Sequence, residues 1–342
     1  MQDLDLVLIG FGNVGRAFTK LLAEKHDLLM SRYEVKARIT GILTGHHGGA
    51  LNHEGIDPAR AIKLLEDDEN LEALSRIPLP DSADEFIRAS RGAVMLENTP
   101  VDYASGQPAI SHIRTALECG MHAITANKGP VVHAYRQLTQ IAVQSDRKFF
   151  FESTVMDGAP IFSLWRCGLL GARLNSFRGI LNSTTNLILT LMGQGSSFDQ
   201  AVQTAQEIGI AETDPSGDLE GWDAAVKVAA LTTVLMEHPL LPGEIDRQGI
   251  SHITAEEVMR ARDNDQRWKL VCEARRTETG VYASVQPIAL DREDPLFNVM
   301  GTSSAITFRS DVLGALTILE EDPGPRTTAY GLFADLLNIL SA

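Results

Sequence analysis

This chain has few cysteines and no excess of basic residues. Its 342 residues include three cysteines, Cys119, Cys167 and Cys272, which lie far apart in apolar or mixed segments. An odd, sparse set of this kind is typical of reduced cytosolic thiols and not of a disulfide framework. Lys and Arg together number 30 against 45 Asp and Glu, which gives a formal net charge of −15. We therefore expect neither a nucleic acid nor an anionic membrane as a partner, because binding to either requires a basic face.

Long apolar runs and targeting signals are also missing. No stretch approaches the length needed to span a bilayer. The N-terminus passes from Met1 through two aspartates into a short apolar run, without the pattern of a secretory signal. These features predict a soluble, cytoplasmic protein. A chain of this length with 44% hydrophobic residues usually forms more than one core, so we expect two domains.

The first part of the chain alternates short apolar segments with segments of helical periodicity. Helices are predicted at Arg16–Ala23 and Ala109–Cys119. Strands are predicted at Leu4–Ile9, Val35–Leu43, Gly92–Glu97, His122–Ala126 and Phe149–Glu152. Alternation of this kind predicts an α/β domain, a Rossmann-like doubly wound parallel sheet, over residues 1–150.

The middle of the chain has a different pattern, which predicts a second, mixed α+β domain over residues 151–319. The predicted helices are Asp199–Ile208 and Gly221–Met236, and the predicted strands are Phe177–Leu181, Gly280–Ile288 and Ala305–Phe308. A last apolar-striped helix, Thr328–Leu340, lies within 320–342. We expect this helix to complete the first domain.

Three glycines stand where the first strand turns into the first helix. The motif is Gly10-Phe11-Gly12-Asn13-Val14-Gly15. In such a motif one glycine permits the tight turn, one lets the backbone approach a pyrophosphate, and one lets the helix lie close to the strand. Because the motif follows an apolar strand and opens an amphipathic helix, it predicts a dinucleotide site; the alternative is an ordinary glycine-rich turn.

The end of the second strand bears on the choice of coenzyme. NAD sites often carry an acidic residue there, but Thr44 to Gly48 contain neither a carboxylate nor an arginine. A 2′-phosphate is then not repelled, and His46 and His47 are candidates to bind it. The alternative is that both are ordinary loop histidines. NADP is permitted, and NAD is not excluded.

Four further segments, in this order, resemble the homoserine dehydrogenase family over nearly the whole chain. They are Thr125–Pro130 (TANKGP), Glu152–Val155 (ESTV), Gly179–Asn186 (GILNSTTN), and Gly209–Pro215 (GIAETDP) with Asp218–Lys227 (DLEGWDAAVK). The resemblance implies the NAD(P)-linked interconversion of L-homoserine and L-aspartate 4-semialdehyde. It also implies that the first domain binds the coenzyme, and that the second binds the substrate and forms a homodimer.

Two lysines match the active-site lysines of that family. The resemblance gives Lys227 the acid/base role and makes Lys128 the second active-site lysine, close to the coenzyme. Reduction of an aldehyde needs a proton donor where negative charge develops on oxygen, and an ammonium group suits that role. The alternatives are a helix-surface pair of Asp223 with Lys227 and a solvated loop lysine at 128.

The resemblance also assigns substrate, coenzyme and cation residues. Glu212 matches the residue that binds the amino-acid substrate, with Asp218 and Asp223 completing an acidic cluster. Gly179, Ser183 and Thr184 match a loop that lines the substrate pocket, and Thr99 joins the glycine motif and Lys128 as a coenzyme contact. A monovalent cation, typically Na⁺, is implied at Glu152, Val155, Asp157 and Ala159, mainly through backbone carbonyls.

The chain departs from the family in places, and two other functions remain open. Met156-Asp157 replaces the small residues that the family prefers, and Asp322–Ala329 is shorter and less glycine-rich than the family's loop. No appended regulatory domain is expected. One alternative function is a related dehydrogenase of another small aldehyde or hydroxy acid, which Glu212 disfavours. The other is a non-catalytic dinucleotide sensor, which the presence of both lysines disfavours.

Overall fold

A computed structural model describes residues 2–341 of the chain. Its helices are α1 Asn13–Glu24, α2 His26–Arg32, α3 Pro58–Glu66, α4 Ala83–Ser90, α5 Ala109–Glu118, α6 Lys128–Gln144, α7 Ser183–Gly193, α8 Phe198–Glu207, α9 Ser216–Leu219, α10 Trp222–Leu235, α11 Ala255–Asp263 and α12 Pro325–Leu340. Its strands are β1 Gln2–Ile9, β2 Val35–Leu43, β3 Gly49–Leu51, β4 Val94–Glu97, β5 His122–Thr125, β6 Phe149–Phe150, β7 Leu174–Ile180, β8 Asp246–Arg247, β9 Gln266–Thr277, β10 Gly280–Asp291, β11 Ser304–Ser310 and β12 Ala315–Glu320. Among these residues, no helix is long and apolar enough to cross a membrane.

The first compact unit contains the chain up to Pro160 together with the segment from Gly324 onward. Its sheet has the order β3-β2-β1-β4-β5-β6, and all neighbouring strands are parallel except β2 and β3. Leu6, Val7 and Leu8 of the central strand are completely buried, as a strand covered by helices on both faces requires. The predicted doubly wound Rossmann-like sheet is confirmed.

The end of β6 and an additional edge strand are the main differences from the predicted sheet. The last strand ends at Phe150 and not at Glu152, because Phe151 leaves the extended conformation (φ −156°, ψ 36°) and Glu152–Thr154 form a short 3₁₀ turn. The backbone N–H of Glu152 donates to Asp335 Oδ2 at 2.7 Å, a partner far along the chain that local periodicity does not reveal. The sheet also gains β3, an antiparallel edge strand too short to predict from its pattern.

The C-terminal helix α12 packs within the first unit. Leu332, Phe333 and Leu336 are buried in the same core as Leu6 and Leu8. The segment after β6 is bound to the same helix, since the Ser153 hydroxyl donates to the Thr328 carbonyl at 2.7 Å. The two units divide after Pro160 and after Pro323, whereas the predicted boundaries were at 150 and 319.

The second unit, Ile161–Pro323, is built on another six-stranded sheet of order β12-β11-β7-β9-β10-β8. Its neighbouring strands are antiparallel except β8 and β10. Helices α7, α10 and α11 contact this sheet or one another. Helix α10 is apolar over most of its circumference and is buried, as such helices are. The predicted mixed α+β domain is confirmed. Strands β9 and β10 form a long hairpin, and β9 also pairs with β7, where the site residues begin.

Candidate active site

The glycine motif forms an open cradle at the start of α1. Gly10 has φ +91°, and a Cβ atom there would lie 2.5 Å from the Asn98 carbonyl oxygen, so only glycine fits. A Cβ on Gly15 would lie 2.9 Å from the Gly10 oxygen, which explains the close packing of helix on strand. A Cβ on Gly12, the N-cap of α1, would meet no atom within 4 Å. Close packing at two glycines and open space at the third fit a bound pyrophosphate at a helix N-terminus.

The turn after β2 is held by Thr44. Its hydroxyl donates to the Gly48 carbonyl at 2.8 Å and accepts from the His47 N–H at 2.9 Å. Nδ1 of His47 lies 3.7 Å from the Asp68 carboxylate, whose side chain is 95% exposed. The position where an NAD-binding acid often stands is therefore taken by a hydroxyl that is already engaged with its own turn.

A buried glutamate connects the ends of β4 and β5. Glu97 is completely buried, and its carboxylate accepts from the Thr99 N–H at 3.1 Å, from the Thr99 hydroxyl, and from the Thr125 hydroxyl at 3.0 Å. Thr99, predicted to contact the coenzyme, thus has a fixed side chain at the carboxyl edge of the sheet. Sequence analysis missed Glu97, although a charged residue that closes an apolar strand was a usable signal.

Lys128 is the first residue of α6, and Asn127 caps the helix. The Asn127 side chain accepts from the Gly129 N–H at 2.9 Å and donates to the carbonyls of Thr99 and Pro100 at 3.0 and 3.2 Å. These bonds connect the loop that carries Lys128 to the loop that carries Thr99. Both predicted coenzyme contacts therefore lie at the carboxyl edge of the parallel sheet, where ligands of doubly wound folds bind.

In the second unit, Lys227 lies in a partly buried polar cluster next to the end of β7. Its Nζ is 3.2 Å from Asp223 Oδ2 and donates to the Leu181 carbonyl at 2.5 Å. The Lys227 and Asp223 side chains are only 15% and 12% exposed. A solvated surface pair would be far more exposed, so the alternative interpretation of this spacing does not describe the structure.

Asn182 holds the two predicted aspartates together. Its side-chain amide donates to Asp218 at 2.7 Å and to Asp223 at 3.1 Å, while its oxygen caps α7 by accepting from the Thr185 N–H at 2.8 Å. Burial, and then the charge of Asp223, raise the pKa of Asp218 above its ordinary value. Asn182 was part of a recognised segment but had no predicted role; its place between a strand and a Ser-Thr helix start was the available signal.

Cys272 lies in the same cluster, on β9. Burial raises the pKa of its thiol to about 12, against the opposing effects of the Leu181 backbone and Lys227. The thiol therefore stays protonated at neutral pH and packs beside Lys227, without a nucleophilic role.

The remaining predicted substrate residues lie on three segments. Glu212 is exposed, its carbonyl accepts from Gln206, and among residues 2–341 its carboxylate has no hydrogen-bond or ion-pair partner. The Thr184 hydroxyl donates to Ile210, and the Ser183 hydroxyl lies 3.5 Å from that of Ser304. Position 179 requires glycine for packing, because a Cβ there would lie 2.4 Å from the Ala305 carbonyl oxygen of the neighbouring strand.

The predicted cation residues follow β6 in the first unit. Asp157 has φ +39°, and its carboxylate accepts from the Gly324 N–H and the Thr327 hydroxyl at 2.7 and 2.9 Å. Its carbonyl, like those of Glu152, Val155 and Ala159, is the group that a cation would use. Within residues 2–341, no three His, Cys, Asp or Glu side chains are grouped as a side-chain metal site would require.

The Rossmann-type unit with its glycine cradle and the second unit with its lysine–aspartate cluster define a nicotinamide-dependent oxidoreductase. Comparison with known proteins is specific. Residues 160–337 match the family model described as homoserine dehydrogenase, and residues 10–152 match the model for the NAD-binding domain of that enzyme. The chain belongs to the homoserine dehydrogenase family.

Individual relatives match nearly the whole length of this chain. The chain is 34% identical to the NAD(+)-dependent homoserine dehydrogenase of Pseudomonas canavaninivorans, over 99% of this chain and 97% of the relative. It is 32% identical to the homoserine dehydrogenase of Methanocaldococcus jannaschii, over 99% of each. The crystal structure of a homoserine dehydrogenase from Thiobacillus denitrificans superposes with a TM-score of 0.83 at 26% identity, over 99% of this chain and 73% of that one.

Proposed function

We propose that this chain interconverts L-homoserine and L-aspartate 4-semialdehyde with a nicotinamide coenzyme. The observation that supports this most is the placement of Lys227. An ammonium group has three N–H donors, of which the Leu181 carbonyl and the Asp223 carboxylate occupy two. Among residues 2–341 the third N–H has no acceptor, so it can donate to the oxygen of a substrate.

Lys227 acts as the acid/base group in this proposal. In the direction of oxidation, the neutral amine accepts the proton of the homoserine hydroxyl; in the direction of reduction, the ammonium returns it to the aldehyde oxygen. When bound, the nicotinamide ring accepts or supplies the hydride at the same carbon. Asp223 stabilises the protonated lysine, and Asn182 keeps Asp223 in place by donating to the same oxygen.

Glu212 and Lys128 also have proposed roles, one in each unit. The carboxylate of Glu212, which has no partner among residues 2–341, is suited to the α-ammonium group of an amino acid. We assign Lys128 to the coenzyme and the reacting centre, because it starts α6 beside Thr99 at the carboxyl edge of the sheet. Asp218, Ser183, Thr184 and Gly179 would line the substrate pocket.

NAD is the coenzyme that we propose for this chain, with NADP(H) also usable. The NAD-binding family model and the NAD(+)-dependent relative support NAD. Use of NADP(H) is supported by Thr44 at the end of β2, because a hydroxyl there does not repel a 2′-phosphate as a carboxylate would. Measurement of kcat/KM with each coenzyme tests both statements, and absence of turnover with NADP(H) would contradict the second.

A monovalent cation, a homodimer and a cytoplasmic location are also part of the proposal. The cation, Na⁺ in the first place, would bind the carbonyls of Glu152, Val155, Asp157 and Ala159, since the Asp157 carboxylate is already engaged. Light scattering on the purified chain tests the dimer. Dependence of activity on Na⁺ at constant ionic strength tests the cation.

The experiment that tests the function is a spectrophotometric assay of coenzyme reduction. The substrates are L-homoserine and 4-hydroxybutyrate, which has the same hydroxyl and carboxylate but lacks the ammonium group. We expect a strong preference for homoserine, and Glu212→Gln should remove much of it by raising KM. Equal kcat/KM for the two substrates would favour a general hydroxy-acid dehydrogenase.

A further inference from the structure

Lys269 is a buried lysine outside the proposed catalytic cluster. It lies on β9 with 1% of its surface exposed. Its Nζ donates to Asn186 Oδ1 at 2.7 Å and to the Val299 carbonyl, and lies 3.6 Å from Met300 Sδ. Burial, and then the charge of Arg267, lower the pKa of Lys269 to about 7. Among residues 2–341, no carboxylate pairs with Lys269, and a buried amine of this kind is costly to fold, so its presence indicates a role other than stability.

The acceptor of Lys269, Asn186, lies in the first turn of α7 and is completely buried. Its side-chain nitrogen donates to the Ser303 carbonyl at 3.0 Å. One turn later, Thr190 donates to the Asn186 carbonyl at 2.7 Å and accepts from the Gly301 N–H at 3.1 Å. The segment 299–303 is thus bound to α7 at two successive turns, and Lys269 binds both the segment and the helix.

The N-terminal end of the same helix holds the catalytic cluster. The Asn182 carbonyl accepts from the Asn186 N–H at 3.2 Å, and the Asn182 side chain donates to both aspartates. The preceding Leu181 carbonyl accepts from Lys227. A shift of the first turn of α7 would therefore move the acceptor of the proposed acid/base group and the donor to its aspartates together.

We propose that Lys269 is a positioning residue for the reaction: by holding Asn186 and the Val299 carbonyl, it fixes the first turn of α7 and so the Leu181–Asn182 backbone that orients Lys227. The inference rests on the proposed role of Lys227. In this proposal Lys269 itself contacts neither substrate nor coenzyme.

The test compares Lys269→Met with a matched control, Arg276→Met. Arg276 lies on the same strand and donates to two carbonyls, those of Leu174 and Met236, at 2.8 and 2.9 Å, and neither acceptor belongs to α7. In Lys269→Met, we expect kcat/KM for homoserine to fall about tenfold to a hundredfold, the cost of a misplacement of about 1 Å. Coenzyme affinity should be unchanged. Arg276→Met should lower the thermal midpoint and leave kcat/KM and the coenzyme affinity unchanged.

Hydrogen exchange at the amides of residues 181–186 gives a second readout, which does not depend on activity. Exchange there should accelerate in Lys269→Met and in Asn186→Leu, but not in Arg276→Met. In the double variant, the second substitution should add little to the loss in kcat/KM, because both remove one interaction. If Lys269→Met unfolds, Lys269→Gln, which keeps a neutral donor, takes its place with a smaller effect in the same direction.

Two results would overturn the positioning role. One is unchanged kcat/KM in folded Lys269→Met, whatever the exchange rates, and the other is strict additivity with Asn186→Leu. An inactive wild type would contradict the proposed reaction alone, because exchange at 181–186 still decides whether Lys269 orders this turn.

Discussion

At Lys227, a single i, i+4 spacing has two physical meanings. A pair of this kind on a helix surface contributes about 0.3–0.5 kcal/mol to stability and has no chemical role. Here Asp223 is buried, and Lys227 has a second acceptor in a loop far along the chain. The structure provides an internal comparison in Arg260 and Glu256, which have the same spacing on α11 with side chains 66% and 88% exposed.

Substitution of Lys227 and of Arg260 distinguishes a catalytic lysine from a surface ion pair. We expect Lys227→Ala to lower kcat by about a hundredfold to ten-thousandfold, the range for a positioned general acid. It should also lower the thermal midpoint, since the buried Asp223 loses its cation. Arg260→Ala should change stability by about half a kcal/mol or less and leave kcat unchanged. Near-normal kcat in folded Lys227→Ala would leave Lys128 as the remaining candidate.

Asp218 shows that the site is held at a cost in stability. Its pKa is raised by burial and by Asp223, so the folded chain binds this proton more readily than the unfolded chain does. The stability associated with the protonated carboxyl is present at low pH and is lost as the pH rises through the raised pKa. Above the raised pKa, ionisation of Asp218 therefore lowers the stability of the fold.

Asp218→Asn should accordingly raise the thermal midpoint at neutral pH and lower activity with homoserine. The gain should shrink as the pH falls toward the ordinary carboxyl pKa of about 4. Asp214→Asn is the matched control, because hydrogen bonds from Ser216 lower the pKa of that exposed carboxyl and the sign is reversed. Thermal melts of both variants between neutral and acidic pH measure the difference. A midpoint for Asp218→Asn below that of the wild type at neutral pH would contradict this account.

At the scale of elements, β1 and α1 form the coenzyme cradle through three glycines with different roles. Gly10 and Gly15 are required by close backbone contacts, whereas Gly12 borders open space. The same substitution should therefore affect folding at the first two positions and ligand binding at the third.

Gly12→Asp should abolish coenzyme binding while the protein remains folded. The new carboxylate would lie where a pyrophosphate meets the helix N-terminus, and it would repel that anion. Gly314→Asp is the control, since Gly314 lies between β11 and β12 and also has no atom within 4 Å of a Cβ. Calorimetric titration with NADH and NADPH measures the effect. Normal affinity in a folded Gly12→Asp protein would show that the cradle is not the coenzyme site.

Elements with strong local patterns were predictable from the sequence, and elements defined by distant contacts were not. The bounds of β2 agree at both ends, because its apolar run is bordered by loops on both sides. Helix α10 lies within its predicted range because Gly221, with φ +79°, stops the chain from extending the helix backward. The end of β6 and the edge strand β3 depend on Asp335 and on β2, so no local window contains the information.

At the scale of the whole molecule, site residues also divide into those that a local sequence pattern predicts and those that depend on distant contacts. Lys227, Asp218 and Asp223 stand in one short segment whose order could be recognised. The environments of Cys272 and Lys269 could not be found, because they arise from burial and from partners in other segments, and Glu97 left only the signal of a charged residue that closes an apolar strand. An acidic chain of net charge −15 can still hold an anionic coenzyme, since the N-terminus of α1 supplies the local positive potential.

The most direct test of the central claim follows the hydride itself. L-Homoserine with both C4 hydrogens replaced by deuterium is incubated with the wild-type protein and NAD, and mass spectrometry measures label in the reduced coenzyme and in the semialdehyde. We predict one deuterium in the coenzyme for each semialdehyde formed, at a rate that falls at least about a hundredfold in Lys227→Ala. Formation of the semialdehyde without label in the coenzyme, or an equal rate in Lys227→Ala, would contradict the mechanism.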